Sequence, residues 1–244
     1  MSSPTKTRPT TDPEALERFR RRVSAVGGLP TLPRVAAEVL RLAHDPDSSL
    51  KDMAAVISKD PPLTSRLLKV ANSAFYGLSQ QVGSLNVALV LLGMRNITNI
   101  VTSISVFRAL RFRGKTGSLT REAFWQHAGA CGKACDLIGR RCKLNLGGEA
   151  FVAGLIHDVG KILMDAVFHE EFVKILQIAC ENAIPMHEAE RKILGIDHAQ
   201  IGSWLAEVWK LPSEIIEALA LHHGPPCDPS ENPLAAALQL ANAV

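Results

Sequence analysis

The chain has 244 residues, 47% apolar and 21% charged, with five cysteines and no CxxC pair. This composition excludes disorder, collagen-like repetition and a disulfide scaffold, and it predicts a globular chain with reduced thiols and enough mass for one large or two small cores. The formal charge of +3 sits at the N-terminus: residues 1–22 hold six of the 27 bases and three of the 24 acids, which leaves 21 of each in the other 222 residues. A neutral body lacks the cation density of a duplex-binding surface, so nucleic acid is not an expected partner.

Residues 1–12 are Ser, Thr, Pro and Lys without apolar periodicity, too polar to offset their ordering entropy. Residues 1–22 as a whole read as a basic tail, disordered or fraying, with Arg18–Arg22 as a solvated helix start. After LPTLP, whose prolines hold the preceding residues extended, Val35, Val39, Leu40, Leu42 and Ala43 recur at helical spacing. Asp45–Asp47 ends that helix, and Ser49 with Asp52 forms a capping box for the next, which carries Met53, Val56 and Ile57. Asp60-Pro61 opens another helix with Leu63, Leu67, Leu68 and Val70 on its apolar face, because a first-turn proline forfeits no hydrogen bond. Ser84 caps an apolar segment through Met94, and Asn96–Leu110 continues it. The longest apolar run, residues 87–94, is far shorter than the roughly 20 residues of a bilayer span, and no apolar leader opens the chain, so a cytoplasmic protein without a membrane partner is expected.

Arg111–Gly117, charged and glycine-containing, divides a helical half at 26–112 from a second at 118–244. Helices are expected over 120–143, 149–168, 170–182, 186–194, 198–209, 213–223 and from Pro233 onward. The abrupt apolar end, QLANAV, reads as a terminus cut from a longer chain or buried against the body. No segment alternates apolar and polar residues as a half-buried strand would, so the fold class is all-α.

Seven of the eight histidines lie in the second half. His157-Asp158 falls mid-helix among Leu155, Ile156, Val159 and Ile162, where an imidazole and a carboxylate need each other, a metal or a hydrogen-bonded cluster. His127, His198, His222 and His223 would face them if their helices pack side by side. Each also has a plainer reading: His127 as a core histidine, His198 as a first-turn residue after a capping Asp197, and His222-His223 as a helix C-terminus before Gly224. His44, His169 and His187 lie at loop edges or on polar helix faces. Cys131 and Cys135 follow His127 at successive turns, but their alanine-rich surroundings point to core packing.

The order His127, His157-Asp158, His198, His222-His223, with GLIHDVGK and then WKLP before the histidine pair, resembles the HD superfamily of metal-dependent phosphohydrolases. LPTLPRVAAEVLRLA, SKDPPLTSRLLKVANSAFYG and ALVLLGMRNI resemble the HDOD domain, a bacterial signalling relative of HD and HD-GYP proteins, over about residues 26–244. The resemblance implies an N-terminal helical bundle packed on an HD-like helical half. It also implies a non-catalytic regulatory module that binds a signalling partner or a nucleotide-like small ligand, with a metal-dependent phosphohydrolase or phosphodiesterase as the alternative. Since no receiver, kinase or cyclase segment fits within 244 residues, the input would come from another chain or a ligand.

Carried over position by position, the candidate metal ligands are His127, His157, Asp158, His198, His222 and His223, with Asn242 where catalytic relatives have a final aspartate. No GYP segment follows the histidine pair. Two divalent ions would bring four positive charges against one carboxylate, so at most one weakly held ion is expected, and the neutral imidazoles favour iron, zinc or nickel over magnesium. Lys161, one turn after His157, would pair with Asp158 and replace the metal, or contact a phosphate.

Overall fold

The computed structural model describes residues 13–25, 30–73, 78, 80–110, 120–144, 146 and 148–243, and every regular element among them is a helix. The N-terminal half is built on α5 (Leu85–Ala109), over which α2 (Arg34–His44), α3 (Leu50–Ile57) and α4 (Pro61–Ala71) pack. Met53, Ile57, Leu63, Leu67, Leu89 and Ile97 form the centre of this cluster. The expected caps are present. Ser49 accepts from the Asp52 amide while Asp52 accepts from the Ser49 amide, and Asp60 accepts from the Leu63 amide at 3.0 Å. Each such cap stabilises its helix by about 1 kcal/mol.

The apolar run at 87–94 and the stretch after Asn96 are joined in α5, which breaks at Gly93, where φ is 75° and ψ is 166°. Glycine takes that backbone shape without the Cβ clash any other residue would meet. By length and composition α5 could cross a membrane, but half of its apolar window is buried within the protein.

The second half contains α6 (Arg121–Arg141), α7 (Glu149–Ile156), α8 (Val159–Val167), α9 (His169–Glu181), α10 (Met186–Leu194), α11 (His198–Val208), α12 (Ser213–Leu221) and α13 (Pro233–Asn242). Helix α6 lies along α7 and α13, and α11 packs on α8 and α12. Two of these contacts are backbone-close. A Cβ on Gly154 of α7 would lie 2.6 Å from the Gly132 Cα of α6, and one on Gly160 of α8 would lie 2.0 Å from the His198 carbonyl oxygen.

Two expectations are corrected here. Residues 149–168 are not one helix: α7 ends at Ile156, α8 begins at Val159, and His157-Asp158 is the corner between them, with Asp158 at φ −94° and ψ 5°. Apolar spacing continues across the corner, so periodicity gave no sign of it. The bend lets Gly160 reach α11. Nor are residues 13–22 a fraying tail, since Pro13–Ala25 forms α1 with Ala15, Phe19 and Val23 buried. Phe19 stacks on Phe168 at 5.5 Å and meets Trp204 edge-on at 5.9 Å, while the Arg22 guanidinium lies 4.4 Å from the centre of the Phe168 ring. Three apolar residues at four-residue spacing are too few to outweigh the surrounding arginines in a composition reading, yet they suffice once an apolar groove receives them. The boundary expected at Arg111–Gly117 lies outside the described residues.

Candidate metal centre

Asp158, at the corner between α7 and α8, is 3% exposed and forms the hub of the histidines. Its Oδ1 is 3.1 Å from His198 Nε2 and 3.8 Å from His222 Nε2. Its Oδ2 is 2.7 Å from Lys161 Nζ, 3.4 Å from His157 Nε2 and 3.8 Å from His127 Nε2. His198 opens α11, while His222 and His223 follow the last turn of α12, so three helix ends deliver these side chains to one point.

The hydrogen bonds behind the rings decide what faces the hub. His157 Nδ1 donates to the Gly154 carbonyl at 2.8 Å and His222 Nδ1 to the Leu219 carbonyl at 2.6 Å. A carbonyl can only accept, so both Nδ1 atoms carry protons, and each ring, whenever it is neutral, turns an Nε2 lone pair inward. His198 Nδ1 is 2.7 Å from the buried Glu190 carboxylate, which also accepts from the His198 backbone amide at 2.8 Å. His198 Nε2 lies 3.3 Å from His222 Nε2 and 3.0 Å from His223 Nε2. Three ring nitrogens this close cannot all present lone pairs to one another. A proton or a metal ion must stand among them.

The electrostatics follow from the same contacts. Burial disfavours charge on all these groups, but Asp158 is held well below the usual carboxylate range by His157 and His198. Burial likewise opposes the charged form of His157, yet Asp158 and Cys131 outweigh it and raise the ring to about 10; Glu190 and Asp158 raise His198 in the same way. His222 and His223 are pushed down by burial and by their neighbour His198, His223 to about 2.

Two groups of donors share Asp158. Asp158, His198, His222 and His223 place ligand atoms within 4.8 Å of one another, as do His127, His157 and Asp158. His157 Nε2 and Asp158 Oδ1 are buried without a hydrogen-bond partner among the described residues. Such orphans are costly. A divalent ion that accepts imidazole and carboxylate together, such as iron, zinc or nickel, fits this donor set.

All six histidine and aspartate candidates thus meet around Asp158, and Lys161 and Asn242 line a cleft of about 480 Å³ together with His198, His222 and His223. His187, assigned by sequence to a polar surface, instead stacks on His223 at 4.2 Å. His169 lies apart, paired with Asp165. Glu190 went unnoticed in the sequence because it stands among Glu188, Arg191 and Lys192, and only the packing of α10 shows that it alone of these points inward.

A helical bundle that brings a His-Asp doublet together with later histidines has the make-up of HD-type folds. The chain belongs to the HDOD family, whose domain model matches residues 29–225. An uncharacterized protein of Treponema pallidum (strain Nichols) is 30% identical over 219 residues, 89% of this chain and 42% of the relative. The chain therefore spans about two-fifths of that relative's length. The crystal structure of an HDOD domain protein of unknown function from Geobacter sulfurreducens matches with a TM-score of 0.83 and 26% identity, over 94% of this chain and 77% of that one. A protein from Shewanella amazonensis SB2B with a provisional phosphohydrolase name matches at TM-score 0.76 and 27% identity, over 95% and 79% of the two chains. One from Marinobacter aquaeolei VT8 with a provisional signal-transduction name matches at 0.81 and 25%, over 98% and 56%.

Proposed function

We propose that this HDOD chain is a non-catalytic signal-transduction module of the cytoplasm, acting by binding a protein partner or a nucleotide-like small ligand. The supporting observation is the 2.7 Å contact between Lys161 Nζ and Asp158 Oδ2. Asp158 is the only carboxylate in either donor group among the described residues, and its charge is already balanced by an ammonium. Glu190 adds a second buried carboxylate, but behind His198 rather than toward the cleft. Four positive charges from two divalent ions would remain largely uncompensated in this buried setting. The residues fit one ion, held by Asp158 with His198, His222 and His223 or with His127 and His157. Such an ion would supply a cross-link between helix ends.

The alternative is a metal-dependent phosphohydrolase acting on a nucleotide, with Lys161 against a phosphate. It is favoured by the way Asp158 joins both donor groups. Metal analysis combined with phosphodiester hydrolysis under added manganese or iron separates the two readings. The regulatory reading expects no more than one ion per chain, no ion in Asp158→Ala, and no turnover. Because Lys161 competes for Asp158, Lys161→Met should bind the ion about tenfold more tightly, a gain of about 1.4 kcal/mol. A two-ion centre that cleaves a nucleotide would overturn the regulatory reading.

A further inference from the structure

Helix α5 meets the two halves with two different faces. Ile97, Ile100, Val101 and Ile104, at helical spacing, belong to the apolar cluster of the first half or pack on it. Thr98, Asn99, Thr102 and Ser105 lie on another face, and all four are buried, with Asn99 the most exposed at 7%. That face is turned to the second half. A Cβ on Gly148, at the start of α7, would lie 3.6 Å from Asn99 Oδ1 and 3.7 Å from Thr98 Cγ2. Val106, further along the same face, joins the apolar cluster of the second half.

A permanent core does not need this composition. Apolar residues of similar size would hold α5 to α7 more firmly, yet the seam carries hydroxyls and an amide, and Asn99 Oδ1 and Thr102 Oγ1 are buried without a hydrogen-bond partner among the described residues. Each such group is a cost only while it is buried, since water satisfies it. The seam is also incompletely filled. A cavity of about 350 Å³ borders it, between Ile100, Ser103 and Ile104 of α5 and Gly129 of α6 and Phe151 of α7. Nothing stands within 4 Å of where a Gly129 Cβ would be, whereas a Cβ on Gly132, three residues on, would lie 2.8 Å from the Phe151 carbonyl oxygen. Packing is thus close within the second half and loose between the halves.

We propose that the halves part along the polar face of α5 while each stays folded, so that Thr98, Asn99 and Thr102 exchange burial against the second half for water. Leu40, Val106 and Leu110, seated in the apolar cluster of the second half, hold the far end and act as the pivot. A polar seam opens at less cost than an apolar one, because little apolar area enters water. The Arg95–Asp136 pair at 3.4 Å breaks on opening, but Arg95 is already 41% exposed and Asp136 keeps Arg140 at 3.0 Å. The open form is a second state that a partner or ligand can select. It does not depend on the occupancy of the histidine centre.

Thiol labelling of the native full chain tests the opening. In Thr98→Cys and Thr102→Cys the new thiol should react with iodoacetamide about tenfold faster than Cys135 of the same molecule, because a partial opening is populated more than global unfolding. Each rate is read by peptide mass spectrometry and divided by that of the same thiol in the urea-unfolded chain. Val101→Cys, on the face of α5 turned to the first half, controls for fraying of the helix and should stay as slow as Cys135. Thr102→Val removes an orphaned hydroxyl that burdens the closed state alone, so in that background Thr98→Cys should label about threefold more slowly. The proposal is overturned if Thr98→Cys and Thr102→Cys label no faster than Cys135, if Val101→Cys labels as fast as they do, or if Thr102→Val leaves the Thr98→Cys rate unchanged.

Discussion

Glu190 illustrates how one residue can organise a site without facing it. It is completely buried, and its carboxylate holds both the backbone and the ring of His198. Removing one partner of a buried, hydrogen-bonded charge pair costs about 3–5 kcal/mol, because the other is left uncompensated. Glu190→Ala should therefore lose stability of that order in urea denaturation, and should also weaken metal binding by freeing the His198 ring to turn. A loss below about 1 kcal/mol would show that the pair adds nothing beyond an average hydrogen bond. The thiols give a second test at this scale. Burial, with Cys131 and Asp136 beside it, pushes Cys135 up to about 12, whereas Cys142 and Cys180 are exposed. Since the thiolate is the reactive form, iodoacetamide at pH 8 should label Cys142 and Cys180 in the folded protein while Cys131 and Cys135 react only after unfolding. The chemical types of the site were legible in the sequence because histidines and an aspartate on apolar helices demand a reason. Glu190 and His187 were not, because their orientation is set by how α10 lies against α9 and α11 and beside His223.

At the level of elements, the caps at Ser49 and Asp60 and the apolar spacing of α2 to α4 were readable locally, each signal being contained within one or two turns. The corner at His157-Asp158 was not, since its cause lies forty residues away in the first turn of α11. The contact of Gly160 with the His198 carbonyl makes this testable. Gly160→Ala would place a methyl carbon 2.0 Å from that oxygen, so α8 and α11 must separate. Overpacking of this kind costs about 1–3 kcal/mol. The displacement should also pull Asp158 away from His198, weakening metal binding even though Gly160 carries no ligand. Gly202→Ala serves as the comparison, since its nearest neighbour is a flexible valine methyl at 3.4 Å. If both variants bind metal as wild type does, the close approach of α8 and α11 is not what sets the site.

At the scale of the molecule, two apolar clusters share one framework. Leu40 of α2, Val106 of α5 and Leu110 just beyond it belong to the cluster of the second half although α2 and α5 also build the first, and the Trp209 indole donates to the Pro30 carbonyl at 2.7 Å. Arg95–Asp136 adds a polar tie between α5 and α6 at 3.4 Å. A helix that serves both cores transmits the unfolding of one to the other, so the halves should melt as a single cooperative unit. All three tryptophans, Trp125, Trp204 and Trp209, lie in the second half, two of them touching the first through Phe107 and Pro30, so indole fluorescence reports that half and its junction while far-UV circular dichroism reports both halves throughout. Leu67, fully buried in the first cluster, is remote from every tryptophan in sequence. Leu67→Ala should cost about 2–5 kcal/mol, and it should lower the urea midpoint seen by fluorescence as much as that seen by circular dichroism. A fluorescence midpoint that stays put while the dichroism splits into two steps would mean that the halves fold independently.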